Sequence, residues 1–178
     1  MNDILIDLKI NKEPYIKKIT DDNIINLTGE SGSGKSTYAK MNFNNDKYMV
    51  IDTDDIFKLD NELNNLLKEK FGNDYANKFI NNFDEYYKMI ISFYSQKDKI
   101  LVIDSAQFRN MKNLNNLKGT VIVIRTSIET CYQRCLERYK NNTPNCSKDD
   151  FDKYTLKKKN MFNWYRSLND FITKLNQM

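Results

Sequence analysis

Gly29-Glu30-Ser31-Gly32-Ser33-Gly34-Lys35-Ser36-Thr37 fits the pattern G-x-x-x-x-G-K-[ST], and its neighbours decide what the match means. Ile24-Ile25-Asn26-Leu27 leads in as a short apolar strand, and Ser36-Thr37-Tyr38-Ala39-Lys40-Met41 can open a helix behind it. Glycines let a strand-to-helix turn curl until consecutive N–H groups face one point, and the helix N-terminus adds partial positive charge. An anion suits such a turn. Lys35 is placed to reach the β- and γ-phosphates of a nucleoside triphosphate, and the Ser36 hydroxyl to bind Mg²⁺. The bland alternative is a Gly/Ser-rich turn with a chance lysine. The strand before it and the helix after it argue against that.

A chain of 178 residues suits a single domain, 1–178, long enough to bury a core. The net charge of +4 is modest and the lysines are scattered, which gives only mild support for a nucleic-acid partner. No apolar run approaches the roughly 20 residues of a membrane helix. Met1-Asn2-Asp3-Ile4-Leu5-Ile6-Asp7 carries acids where a secretory signal carries Lys or Arg, so a cytoplasmic protein is expected. Cys131, Cys135 and Cys146 are odd in number and lack C-x-x-C spacing, which suggests neither disulfides nor zinc. There is no histidine, so Ser-His and Cys-His catalysis are excluded. A general base must be a carboxylate, a lysine or water.

Outward from the glycine-rich turn, strand and helix alternate. Lys47–Ile51 reads as a strand ending at Asp52, Lys99–Ile103 as one ending at Asp104, and Thr120–Ile124 as one ending at Arg125. Short, nearly continuous apolar runs predict strands covered on both faces, as in a parallel sheet. Between the second and third lies a helical insert, about residues 55–96. Ile56, Leu59, Leu63 and Leu66 keep helical spacing up to Phe71-Gly72, and a second helix carries Tyr75, Phe79, Phe83, Tyr86, Ile90 and Phe93. Thr126-x-x-Glu129 looks like a capping box for a helix to about Lys140, and Asn141–Asn145 is a loop. Ser147-x-x-Asp150 opens a last helix, with Phe151, Tyr154, Phe162, Tyr165, Leu168 and Ile172 toward the core. In such open α/β sheets ligands sit outside the carboxyl ends of the strands. Gly29–Ser36, Asp52–Asp55, Asp104-Ser105 and Arg125 therefore converge on one edge.

The acids there have two readings. Asp54 or Asp55 can cap the helix that follows, or a carboxylate can accept the proton of an attacking hydroxyl or hold a water of the Mg²⁺ shell. Ile100–Asp104 has four apolar residues and then an acid, which points to Mg²⁺ when a phosphate loop is also present. Arg109 is either a surface charge or an acceptor contact. Arginine occurs only five times, and Arg134 and Arg138 lie four apart on one helix face. They pair with acids on that helix or offset charge on a transferring phosphoryl group, for which a flat guanidinium fork is well suited.

Val50-Ile51-Asp52-Thr53-Asp54-Asp55-Ile56, placed behind Gly29–Thr37, resembles the shikimate kinase and gluconate kinase branch of small P-loop kinases, over about residues 24–140. The resemblance implies a three-layer α/β fold, a parallel sheet covered by helices on both faces. It implies an ATP-dependent phosphotransferase using Mg²⁺ that moves the γ-phosphoryl group to a hydroxyl or phosphate of a small-molecule acceptor. In shikimate kinases the second Asp of an Asp-x-Asp contacts the acceptor hydroxyl and the first sits near Mg²⁺; by position these are Asp54 and Asp52. The spacing of Arg134 and Arg138 resembles that of arginines in such kinases that contact ATP and neutralise the phosphate. A short lid at about 138–147 and an acceptor-binding role for the helical insert follow from the same likeness. The third strand ends in Asp104-Ser105-Ala106, where shikimate kinases carry a glycine triplet. Polynucleotide kinases usually place an Arg where this chain has Phe57, so a nucleic-acid 5′-hydroxyl kinase is the second reading. A partner-gated NTPase is the third, and oligomeric state is left open.

Overall fold

Nearly continuous apolar runs do form the strands. The computed structural model describes residues 12–55, 61–95 and 98–178. In chain order its elements are β1 (Tyr15–Lys18), β2 (Ile24–Gly29), α1 (Lys35–Asn42), β3 (Tyr48–Asp52), α2 (Asn61–Phe71), α3 (Tyr75–Lys78), α4 (Phe83–Tyr94), β4 (Ile100–Asp104), β5 (Thr120–Ile124), α5 (Ile128–Asn142), α6 (Lys148–Lys158) and α7 (Met161–Asn176). Single 3₁₀ turns cover Ile80–Asn82, Ala106–Asn110 and Leu114–Asn116. The strands make one mostly parallel sheet in the order β1-β5-β2-β4-β3, flanked by helices. β4 is buried from Leu101 to Asp104 and β5 from Val121 to Ile124, as their apolar runs predict. β3 ends the strand order and is only partly covered, with Val50 40% exposed.

β1 is the strand the sequence reading missed. The apolar stretch Ile4–Ile10, which from sequence offers an extra edge strand, lies outside the described residues, as do Ile56 and Leu59. Tyr15-Ile16-Lys17-Lys18 carries two lysines and only alternating, partial burial, too weak a pattern to announce itself. The tail is helical as expected, but it forms two helices. The break falls at Lys159-Asn160, where neither proline nor glycine marks it.

The described residues group into two compact units. One comprises residues 12–15, 29–35 and 123–178, the other residues 16–28, 36–55, 61–95 and 98–122. In the first unit, Ile128, Cys131, Cys135 and Tyr165 form a buried cluster with Tyr132 against it. Tyr165, Leu168, Phe171 and Leu175 give α7 one buried face. Tyr15 Oη donates to Asn176 Oδ1 at 2.6 Å and ties β1 to the end of α7.

In the second unit, Ile24–Leu27 of β2 pairs in parallel with Leu101–Asp104 of β4, and Tyr48–Asp52 of β3 with Ile100–Asp104. Aromatic rings fill the space behind. Phe83 meets Phe79 at 5.4 Å and Phe108 at 5.2 Å, both edge-to-face, and Tyr86 stacks on Phe71 at 4.4 Å. α2 turns Leu63 and Leu67 inward. Leu66, expected on that face, is 43% exposed and lines a groove of about 620 Å³ with Leu63, Lys70, Glu85, Met89 and Phe93. One polar network crosses the core. Tyr87 Oη donates to Asn26 Oδ1 at 2.8 Å, and Asn26 Nδ2 donates to Lys118 O at 2.7 Å.

Gly119 closes the turn beside that network. Its φ is +80°, and a Cβ there would lie 1.9 Å from Ile24 O. Its carbonyl accepts the N–H groups of Ile19 at 2.7 Å and Thr20 at 3.1 Å. No other residue type meets both the backbone angle and the space.

Candidate active site

The glycine-rich stretch runs from the end of β2 into α1. Ser33 N–H donates to Glu30 O at 3.0 Å and closes the turn on itself. Gly32 and Gly34 have φ of +80° and +95°, the left-handed region that glycine enters at no steric cost. Gly32 is also pressed on α5, since a Cβ would lie 2.7 Å from Cys131 O. Lys35 Nζ donates to Gly29 O and Glu30 O, both at 3.1 Å. The ammonium is thus held at the mouth of the same turn whose phosphates the sequence reading expects it to reach.

α5 supplies the wall behind this loop. Arg134 Nη1 donates to Gly32 O at 3.1 Å. The Cys135 thiol lies 3.6 Å from both Ser31 O and Ser31 Oγ, and Arg138 Nη2 lies 3.7 Å from Cys135 Sγ. Both guanidinium-bearing residues are exposed, and among the described residues neither pairs with a carboxylate, the alternative their spacing left open. Burial pushes the Cys131 thiol up to about 12, the Glu30 carboxylate adds to this, and Arg134 and Lys35 oppose it.

Thr126 does something the sequence did not announce. Read as the helix cap, it instead donates its hydroxyl to Ser33 O at 2.6 Å. The cap is Ser127, whose side chain accepts from Thr130 N–H. Adjacent hydroxyl residues offer two capping frames one residue apart, and packing against the loop selects the second. α5 also runs past Lys140 to Asn142, so the loop expected at Asn141–Asn145 begins at Thr143. Tyr139 stacks on Tyr154 at 4.0 Å, and Tyr154 Oη donates to Cys135 O at 3.3 Å.

The second unit holds Ser36 and Thr37, both exposed at the start of α1, and the acids. Asp52 and Asp104 are direct partners in the β3–β4 register. Asp52 Oδ1 accepts Asp54 N–H at 2.9 Å, so Asp52, rather than Asp54 or Asp55, caps the turn beginning at Thr53. Asp54 and Asp55 are exposed. Buried Thr53 donates to Ser105 Oγ at 2.9 Å, and Ser105 Oγ accepts Gln107 N–H at 3.1 Å. Arg109 is half-buried in the 3₁₀ turn after β4. The segment behind that turn is held by Asp84, whose carboxylate accepts Lys112 N–H at 2.7 Å and Asn113 N–H at 3.0 Å. Partial burial raises the Asp84 pKa, but these bonds outweigh it and hold the carboxyl below its ordinary value. Among the described residues no three Asp, Glu or Cys side chains cluster as a metal cage. No described helix is long and apolar enough to cross a membrane.

The sequence model of the shikimate kinase family matches residues 31–177. The chain belongs to the shikimate kinase family. No curated protein matches it. As a shikimate kinase family member it is a P-loop kinase, an ATP-dependent enzyme of small-molecule phosphorylation. The family match reaches past the end of α5 and takes in all of α6 and α7, which the motifs alone did not connect to these kinases.

Proposed function

We propose that this shikimate kinase family member transfers the γ-phosphoryl group of ATP to a hydroxyl of a small-molecule acceptor. The observation that carries the reading is the loop Gly29–Lys35, closed on itself with the Lys35 ammonium at its first two carbonyls. Phosphoryl transfer has a loose transition state, so catalysis is mainly positioning and charge stabilisation. Residues 29–37 grip the phosphates through their amides and Lys35. Arg134 uses one donor on Gly32 O, which leaves the rest of its fork for phosphate oxygens, and Arg138 assists it. Asp54 orients the acceptor hydroxyl and takes its proton, a role its exposure permits.

Mg²⁺ fits the donors present. It takes one or two carboxylates and keeps its remaining positions for water and substrate phosphate, so two aligned acids suffice where the described residues offer no full cage. Ser36 with Asp52 or Asp104 would hold it, and when bound it neutralises charge on the β- and γ-oxygens. Arg109 and the helices within 55–96 are assigned to the acceptor, and residues 138–147 to a short lid. Ser105 stands where shikimate kinases have a glycine, with its hydroxyl engaged by Thr53 and Gln107. That favours an acceptor of different shape.

γ-Labelled ATP with Mg²⁺ and an acceptor panel tests this, with Lys35→Ala as the blank. The panel should hold shikimate, gluconate, other hydroxy acids, sugars, nucleosides and 5′-hydroxyl oligonucleotides. Label moving to a small molecule, and lost in Asp54→Asn, is the expected result. Label on the oligonucleotide alone, or only as free phosphate, overturns it.

A further inference from the structure

Three consecutive carbonyls of the phosphate loop are held from outside by α5 and the residue leading into it. Ser31 O faces the Cys135 thiol at 3.6 Å, Gly32 O accepts from Arg134 at 3.1 Å, and Ser33 O accepts from Thr126 at 2.6 Å. In a trans peptide the carbonyl of one residue and the N–H of the next point in opposite directions. Each carbonyl drawn toward α5 therefore turns the following N–H away from it. For the first two peptides these are the amides of Gly32 and Ser33, and the Ser33 amide is already used on Glu30 O. The third is Gly34, the glycine just before Lys35.

The three contacts differ in strength. A thiol at 3.6 Å is a weak donor, and Arg134 is exposed, so water competes for its bond. The Thr126 contact is short, partly buried, and made by a side chain with a single rotatable hydroxyl. Thr126 is fixed in turn, because only Arg125 separates it from the end of β5 and it immediately precedes the cap of α5. Gly34, at φ +95°, has no side chain of its own to hold its peptide plane.

We propose that Thr126 is a positioning residue for triphosphate binding. Its hydroxyl sets the Ser33–Gly34 peptide so that the Gly34 amide faces the phosphates. This rests on the reading of Gly29–Thr37 as the triphosphate site. Without the hydroxyl, that peptide samples orientations in which the carbonyl competes with the amide for the same space, and each such orientation repels the anion. The cost falls on ground-state and transition-state binding alike, so it appears in affinity for Mg²⁺-ATP and not in turnover at saturation.

Titration calorimetry with Mg²⁺-ATP tests the assignment, with thermal unfolding measured on the same samples. Thr126→Val keeps shape and branching and removes only the donor; Thr126→Ala makes the same comparison if valine crowds the site. About tenfold weaker binding is expected for either, as for loss of one partly buried hydrogen bond, with Thr126→Ser within about twofold of the parent. Ser127→Ala, which removes the adjacent cap, should lower the unfolding temperature and leave ATP affinity unchanged. Parent-like affinity in both Thr126→Val and Thr126→Ala overturns the proposal, as does failure of Thr126→Ser to restore binding. Lys35→Ala separates the two levels. If it abolishes binding while Thr126→Val and Thr126→Ala bind ATP like the parent, only the role of Thr126 falls. If it binds ATP like the parent, the reading of the loop falls and the role of Thr126 with it.

Discussion

Asp52 stands directly opposite Asp104 across the parallel β3–β4 ladder, with Asp104 almost fully buried. Neighbouring strands lie about 4.8 Å apart, so two carboxylates in register concentrate negative charge that a divalent cation relieves. Asp52→Asn and Asp104→Asn should each lower turnover about tenfold or more and raise the Mg²⁺ concentration needed for half-maximal rate. A Mg²⁺ titration at saturating ATP measures this. If neither midpoint moves, the metal role proposed for both acids falls.

Gly119→Ala should be among the most damaging single substitutions. It puts a Cβ at φ +80° and 1.9 Å from the Ile24 backbone carbonyl oxygen, so the backbone must shift to accommodate it. The cost is expected to reach about 3 kcal/mol or more. Urea unfolding reads it as a lower midpoint at unchanged slope. A variant within experimental error of the parent would mean that this turn rearranges easily.

Tyr87→Phe removes a hydroxyl that donates to Asn26 Oδ1 and accepts from Lys118 N–H at 3.0 Å. Leaving those buried groups unmatched should cost about 1–3 kcal/mol. There is also a signature in pH. Burial pushes the Tyr87 phenol from 10.0 up to about 12, so the folded state holds its proton more tightly than the unfolded chain. That contribution is complete below pH 10 and is lost as pH rises toward 12. Tyr86 is pushed up in the same way, so the variant should lose stability less steeply over that interval but not become flat. Urea midpoints across that range decide it.

Thiol reactivity should divide by burial. Cys146 is partly exposed, whereas Cys131 is fully buried with its thiol pushed up to about 12. Iodoacetamide at about pH 8 should alkylate Cys146 and spare Cys131, because the thiolate is the nucleophile. Peptide mass spectrometry gives the answer. Equal labelling of Cys131 would show that the α5 wall opens readily from the loop.

The glycine-rich stretch, four of the strands and the helical insert were legible because each rests on a local pattern: glycine spacing, unbroken apolar runs, helical periodicity. What was not legible turned on choices between near-equal local options. Thr126 and Ser127 both suit a cap, and only contact with Ser33 O decides between them. Leu66 and Leu67 both extend the spacing from Leu63, and packing selects Leu67. β1 is held by its place beside β5, a long-range pairing that Tyr15-Ile16-Lys17-Lys18 does not encode. Of the residues proposed for the site, Lys35, Asp52 and Asp104 stand out in the sequence as motif positions. Thr126 and Cys135 do not, because each acts on main-chain atoms and has no motif to mark it.

The α5 wall bears on any attempt to transplant the nucleotide loop. The acceptors it engages are backbone oxygens of Ser31, Gly32 and Ser33, whereas the donors are side chains about a hundred residues later in the chain. The nine residues that define the motif therefore do not carry their own shape. Grafted alone onto another strand and helix, they would arrive as a flexible glycine-rich linker. To move the function, a designer must also move the arginine and cysteine of α5 and the threonine just before it, none of which the motif mentions.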